Sequence, residues 1–312
     1  MPTHRSRATA TGLLAGVMLD QLIGDPRRGH PVAMFGSAAG RLETAMWRDR
    51  RTAGATYAAL LITAAAALGT LPRRLPPRWL PAATAAGGWA VLGSRSLVAE
   101  AGAVADRLRR GDLPAAREQL THLVGRRTEF LDEAEIARAT VESVAENTSD
   151  AVVAPLFWGA VAGLPGLLAY RAVNTLDAMV GHHSPRHERF GWAAARADDV
   201  ANFVPARLTA ALTAVVARPT GGRGRAALTV ARADGHRHPS PNAGVPEAAF
   251  AGALGVRLGG RNDYGSHVEE RPVLGGQGRA PDVADIARAA RLCRGITAVA
   301  AVVCAVLALL WP

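Results

Sequence analysis

The run from Glu142 to His182, ESVAENTSDAVVAPLFWGAVAGLPGLLAYRAVNTLDAMVGH, sets two dense polar clusters at the ends of an apolar stretch broken by Gly-Leu-Pro-Gly. Few folds tolerate that pattern. An uninterrupted apolar helix would send the clusters to opposite ends. Pro165 removes an amide and clashes with the preceding turn, so the stretch reads as a helical hairpin that returns Asp150 and Arg171 to one side. On a helix Glu142, Glu146 and Asp150 recur at i, i+4 and i+8 and share a face beside Asn147. After the turn, Arg171, Asn174 and Asp177 again follow helical spacing. Like charges stacked this way cost stability unless a cation, a basic partner or water meets them. Beside an apolar segment of membrane grade, where charge is expensive, they mark a functional site and not merely a solvated face.

Further apolar runs predict helices near 9–24, 53–71, 79–99, 151–162, 166–180, 203–217 and 293–311. Crossing a bilayer takes about 20 apolar residues. The segments at 53–71, 79–99 and 293–311 reach that length, while 151–162 and 166–180 do not. Hydrophobic residues make up 49% of the chain but aromatics only 5%, the balance that small-residue packing between membrane helices uses. The expectation is therefore all-α: a polytopic integral membrane bundle with broken or re-entrant helices and polar loops. It reads as one membrane-embedded domain over residues 1–312, with an amphipathic helical insert at 100–150 and a Gly/Pro/Arg-rich polar segment at 218–292. Asp112-Leu113-Pro114 marks a helix start. Strand signal is weak throughout, and arginines on both sides of the spans leave the topology open.

The net charge of +10 comes entirely from arginine, because the chain has no lysine. That excludes a lysine Schiff base or lysine nucleophile and makes every fixed cation a guanidinium. The arginines lie scattered in loops without aromatic stacking platforms, which points to anionic lipid, phosphate and carboxylate as partners and away from nucleic acid. No GxxxxGK[ST] loop, strand-borne GxGxxG, HExxH or Cys/His zinc pattern is present. Cys293 and Cys304 are too far apart on one helix to pair and read as packing residues.

Four more clusters hold polar residues in awkward places. GDPRRGHPVAMFG, at 24–36, offers Asp25 and His30, each followed by a proline that forces extended backbone. FGWAAARADDVANFVPARLTA, at 190–210, brings Arg196, Asp199 and Asn202 to one helix side beside Asp198, with Pro205 opening the apolar segment that carries Arg207. HPSPNAGVPEAAFAGALGVRLGG, at 238–260, has Asn242 and Glu247 bracketing a turn. The short RNDYG at 261–265 carries Tyr264. Glycines at 259–260 and 275–278 are more often simple turns than phosphate binders.

Taken together, GDPRRGHPV, the ESVAENTSD to NTLDAMVG block, the 190–210 run and SPNAGVPEAAFAGALGVRLGG resemble the adenosylcobinamide-phosphate synthase family of cobalamin biosynthesis, CobD/CbiB, in the family's own order and over nearly the whole chain. The resemblance implies a multi-pass enzyme of the cell membrane, a carbon–nitrogen ligase. It would join adenosylcobyric acid to (R)-1-aminopropan-2-ol or its O-phosphate, with ATP as co-substrate and Mg²⁺ as cofactor. A homo-oligomer or association with other enzymes of the pathway remains an open partner class. One departure is visible in VGRRT, at 124–128, where the family usually has Asp in place of Arg127. Either the arginine takes the place of an acid that touched substrate or metal, or it falls on a tolerant helix surface. An AmpE-like membrane signalling protein and a non-catalytic corrinoid carrier or transporter are the competing classes. The chain lacks the clear internal repeat of a transporter.

For that chemistry, Glu142, Glu146 and Asp150 are candidates for amine or metal binding, with Asn147 positioning and His30 as acid or base. Asp25, Arg171, Asn174, Arg196, Asn202, Arg207, Asn242, Glu247 and Tyr264 are substrate-binding candidates. Asp177, Asp198 and Asp199, with Asp150, form a second possible metal cluster.

Overall fold

In the computed structural model, residues 3–26, 29–182, 184–265 and 268–311 are described; Arg27 and Arg28 of the GDPRRGHPV run lie outside the described residues. In chain order the helices are α1 (His4–Ile23), α2 (Pro31–Met46), α3 (Arg51–Thr70), α4 (Leu80–Val91), α5 (Ser94–Arg109) and α6 (Leu113–Leu120). They continue with α7 (Glu133–Thr148), α8 (Ala154–Leu176), α9 (Trp192–Ala217), α10 (Gly224–Asp234), α11 (Gly244–Leu254) and α12 (Val283–Leu310). The chain is an all-α bundle with one added hairpin of strands. Among the described residues, four helical stretches, Arg51–Arg74, Glu133–Gly181, Trp192–Ala217 and Val283–Leu310, are long and apolar enough to cross a membrane.

Contacts divide the chain into two units, one formed by 1–93, 150–202 and 300–312 and the other by 94–149 and 203–299. In the first unit α1 lies against α4 at glycine-to-glycine distance. A Cβ on Gly16 would sit 3.1 Å from Gly88 Cα, so only small side chains permit the approach. The core around α2, α3 and α8 gathers Tyr57, Leu176, Val180 and Phe190, all fully buried or nearly so. Tyr57 donates its hydroxyl to Ala39 O at 3.1 Å, which satisfies that buried polar group.

The expected hairpin is present: Gly163 takes a non-helical φ of 68° inside α8, and Pro165 starts the second arm. Tyr170 OH reaches Asp150 O at 3.2 Å, so the break does return Asp150 and the second arm to one side. Both polar motifs also carry a π-helical turn, Ser149–Val153 at the first and Asp177–Gly181 at the second. Such turns widen the helix by one residue and are frequent at functional sites.

Three expectations need correction. The stretch 79–99 is not one span: α4 ends at Val91, Leu92 turns extended, and Gly93 N donates to Ala151 O at 3.3 Å instead of continuing the helix. Pro205 does not open a helix but lies inside α9, where it leaves Ala201 O without its i+4 amide. The Trp158 indole N–H donates to that carbonyl at 3.0 Å and so offsets the loss. Finally, the 218–292 segment contains an antiparallel pair, β1 (Leu258–Asp263) and β2 (Val268–Leu274). Its glycines, charges and proline gave no alternating pattern, and the pairing is fixed by tertiary context instead.

The second unit holds these strands with α10 and with α11, which is buried at every residue but Val245. Gly252 of α11 approaches the α10 backbone so closely that a Cβ would lie 3.0 Å from Ala227 Cα. α7 begins at a capping box, with Glu135 N donating to Asp132 Oδ1 at 2.8 Å and Asp132 N to Glu135 Oε2 at 2.9 Å. Asp112 caps α6 as its sequence predicts.

Trp158→Phe should destabilise the protein by about 1 kcal/mol, the order of losing one hydrogen bond to a part-buried carbonyl. In a Pro205→Ala background, where the restored amide can bond Ala201 O, the same change should cost much less. Thermal melting in detergent reads both, and equal losses in the two backgrounds would refute the compensation.

Candidate active site

The hairpin of strands and the middle of α7 build an acid-rich cavity of about 130 Å³ within the second unit. Its walls include Arg126, Glu142, Glu146, Glu247, Tyr264 and Arg271. One turn of α7 separates Glu142 from Glu146, as the i, i+4 spacing requires. The third carboxylate is Glu247 from the first turn of α11, and Asp150 is not among the lining residues. The π turn from Ser149 changes the helical phase just before Asp150, and Asp150 itself belongs to the first unit.

Glu142 is fully engaged. Arg126 Nη2 donates to Oε2 at 2.7 Å, while Arg138 Nη1 and Gly259 N donate to Oε1 at 3.0 and 2.8 Å. The strands make the last contact possible. Between the pairs Leu258–Leu274 and Gly260–Arg271, Gly259 faces two residues, Pro272 and Val273. Pro272 has no N–H for a ladder and fits such a bulge, and the Gly259 amide turns to Glu142. Asn262 Oδ1 accepts from Arg126 and from Arg138, which ties β1 to the same cluster. The Gly275 amide is likewise taken by a carboxylate of the chain, Asp234 Oδ2 at 2.8 Å, so it too serves a turn.

With Glu142 matched by two arginines, Arg271 is the cation that meets the remaining acids. It donates to Tyr264 OH at 2.9 Å and to Glu269 Oε2 at 3.1 Å. Burial works against its charge, but Tyr264, Glu247, Glu269 and Glu146 outweigh burial and push its pKa up. Burial, then the charges of Glu142 and Glu146, holds Glu247 well above the usual carboxylate range. Besides Glu142, which Arg126 and Arg138 already meet, the cavity thus holds two further acids, Glu146 and Glu247.

The other expected residues fall as follows. Asn147 turns back onto its own helix, donating to Ser143 O at 2.9 Å. Arg207 donates to Asn242 Oδ1 at 2.9 Å and stacks over the Phe203 ring, a pair apart from the acid cavity but in the same unit. In the first unit, His30 is the N-cap of α2, its Nδ1 accepting from Val32 N at 3.2 Å and its Nε2 lying 3.3 Å from Asp25. Arg171 donates to Asn174 Oδ1 at 3.3 Å and borders a separate apolar cavity of about 290 Å³. Buried Asn202 links Tyr170 to Asp198, accepting at 2.8 Å and donating at 2.9 Å. Asp199 pairs with Arg196 at 3.1 Å. Asp177 sits in its π turn, and among the described residues no three His, Cys, Asp or Glu gather as a metal site. Arg127 lies in a loop, not on a helix, with its side chain toward Glu129 and Phe130 on the surface. Its neighbour Arg126 is the buried one.

Sequence reasoning missed Arg126, Arg138, Arg271, Asn262, His238 and Tyr170. Arg138 was accessible, since it precedes Glu142 by four residues. Arg126, Arg271, Asn262 and His238 reach the site through long-range pairing, which carries no local signal, while Tyr170 belongs to the first unit, where it serves Asp150 O and Asn202.

A comparison with known proteins agrees with this arrangement of motifs. Residues 13–293 match the family model described as CobD/Cbib protein. The chain belongs to the CobD/CbiB family. It is 53% identical over 277 residues to a Mycobacterium tuberculosis protein named cobalamin biosynthesis protein CobD, covering 88% of each chain. A protein of the same name from Geobacter metallireducens is 47% identical over 84% of this chain and 85% of its own. Another from Rhodobacter capsulatus is 42% identical over 97% of this chain and 98% of its own. No solved structure matches the chain.

Arg126→Leu should be strongly destabilising, by about 3–5 kcal/mol, because it leaves a buried charge short of a partner. Adding Glu142→Gln should recover part of that loss. A double-mutant cycle on melting measures the coupling, and strict additivity would show that the two side chains do not depend on each other.

Proposed function

We propose that this member of the CobD/CbiB family acts in cobalamin biosynthesis as an amide-forming ligase of the cell membrane. It joins the carboxyl group of adenosylcobyric acid to (R)-1-aminopropan-2-ol or its O-phosphate, with ATP as co-substrate. The observation that supports this most is the acid cavity in which Glu142 is already matched by Arg126 and Arg138, leaving Glu146 and Glu247 to receive an ammonium. At ~30 Å³ per water-sized group, the cavity has room for about four or five heavy atoms. That suits the three-carbon amino alcohol and is far too small for a corrin ring, so in this reading the cavity takes the amine half, with a phosphate on its oxygen extending out of it.

The chemistry then follows. ATP transfers a phosphoryl group to the corrinoid carboxylate, which turns one oxygen into a leaving group. The ammonium gives a proton to a carboxylate of the cavity, and the freed nitrogen pair attacks the acyl carbon. The new C–N bond forms as the C–O bond breaks, and phosphate departs with that electron pair and takes up the second proton that the nitrogen loses on becoming an amide. Glu247 is the acceptor suited to this transfer, because burial gives it the higher proton affinity of a useful base. His30 is bound up as a helix cap in the other unit, so the acid–base role passes to Glu247 in this reading. Mg²⁺ belongs to this reading as a companion of nucleotide phosphates. The described residues offer it no three-ligand cage, and no step here depends on it.

Detergent-purified protein given adenosylcobyric acid, ATP, Mg²⁺ and the amine or its phosphate should yield a mass gain equal to the amide, dependent on ATP. Glu146→Gln and Glu247→Gln should each lower kcat/KM at least ~10²-fold while leaving membrane insertion intact. Near-normal turnover in both variants would remove the cavity from the mechanism. A folded protein that binds the corrinoid without turning it over would favour the carrier reading.

A further inference from the structure

His238 lies just behind the cavity, and the sequence motifs gave it no role. Its ring occupies space that exists because residue 244, at the start of α11, is glycine; a Cβ there would strike the His238 side chain. Ser240 N donates to His238 Nδ1 at 3.0 Å. In the neutral ring that hydrogen bond fixes the proton on Nε2. Nε2 in turn faces Glu247 Oε1 at 3.9 Å, with the two side chains only 6% and 1% exposed. Neither of these two buried atoms has a hydrogen-bond partner among the described residues. A donor and an acceptor, both buried and both unsatisfied, are thus aimed at each other across a gap somewhat too long for a hydrogen bond.

We propose that His238 is a positioning residue for Glu247: its Nε2–H closes on Oε1 and stabilises the carboxylate form in which Glu247 accepts a proton from the substrate amine. The proposal rests on the amide-forming reading for the identity of the amine, but the donor–acceptor pair itself does not.

The remaining charges around Glu247 explain why a neutral donor is needed. α7 presents Glu142 and Glu146, which disfavour ionisation of Glu247, while Arg126 and Arg271 favour it. Glu269 and Tyr264 share Arg271 and weaken its pull. An ionised histidine would be costly at this depth, and burial followed by Arg271 holds the His238 pKa down to about 4. His238 therefore stays neutral through the working range and acts as a fixed dipole, while the titrating group is Glu247. Its folded pKa is raised, so the proton-accepting form appears only as pH climbs through that value. Removing the histidine donor would push the rise in activity to higher pH.

The test uses infrared titration of the full-length protein in detergent, following the C=O band of a buried protonated carboxyl group. Glu247→Gln should abolish that band and so assign it. His238→Leu should move its midpoint upward by about one pH unit, the order expected for losing one hydrogen bond to a charged group. His238→Gln, whose amide N–H reaches the Nε2 position, should bring the midpoint back. In turnover, His238→Leu should show an acid limb of kcat/KM displaced by the same amount, roughly tenfold lower activity below the limb and near-normal activity well above it. An unmoved midpoint in His238→Leu, or a loss of turnover equal at every pH, would overturn the proposal. If the protein forms no amide at all, the infrared midpoints still decide the role of His238 independently of the reaction.

Discussion

A carboxylate buried among small apolar side chains survives only if its charge is met from several directions, and Glu142 is the place where this chain satisfies that demand. Arg126 comes from the loop before α7, Arg138 from one turn earlier on the same helix, and the Gly259 amide from a bulged strand. The Arg138 contact is local to α7, whereas the Arg126 and Gly259 contacts need other segments to pack against it. Those two draw the loop and the strand to one point, and Asn262 braces the two guanidiniums from β1. The acid cavity exists because those segments meet there. It is acid-rich because Glu142 absorbs two of the arginines and leaves Arg271 facing Glu146, Glu247 and Glu269.

A second device recurs in the helices that position polar groups: regular hydrogen bonding is interrupted and the missing bond is replaced. Gly163 breaks α8 so that the Tyr170 hydroxyl can reach Asp150 O and Asn202. Pro205 deprives Ala201 of its amide, and the Trp158 indole supplies another donor. The two π turns fall on the ENTSD and NTLDAMVG motifs. Interruptions of this kind are costly in an apolar setting, where water cannot serve the stranded groups. They coincide with the polar clusters that the sequence motifs single out.

The proposed chemistry follows from unequal environments among similar side chains. Three glutamates line one small space, yet they differ: Glu142 is saturated by donors, Glu146 is half-buried, and Glu247 is sealed with one oxygen turned toward His238. Residue type alone would give them the same role. Burial and neighbouring charge separate a structural anion from a group able to hold and release a proton.

The sequence by itself determined the elements that depend on near neighbours. Apolar length marked the spans at 53–71 and 293–311, the Gly-Leu-Pro-Gly break marked the hairpin, and Asp112 marked the start of α6. The long motifs identified the family, which the match over residues 13–293 confirms. Helical spacing correctly placed Glu142 beside Glu146, but it extended the same stripe to Asp150, where a π turn changes the phase. It also gave no sign of β1 and β2, whose glycines, charges and proline lack any strand period. Which acids share the cavity was settled only in three dimensions, because Glu247 and Arg271 reach α7 from about a hundred residues away or more. Periodicity reports what lies on one face of one element, whereas a site assembled from a loop, a bulged hairpin and two helices depends on packing that no single segment encodes.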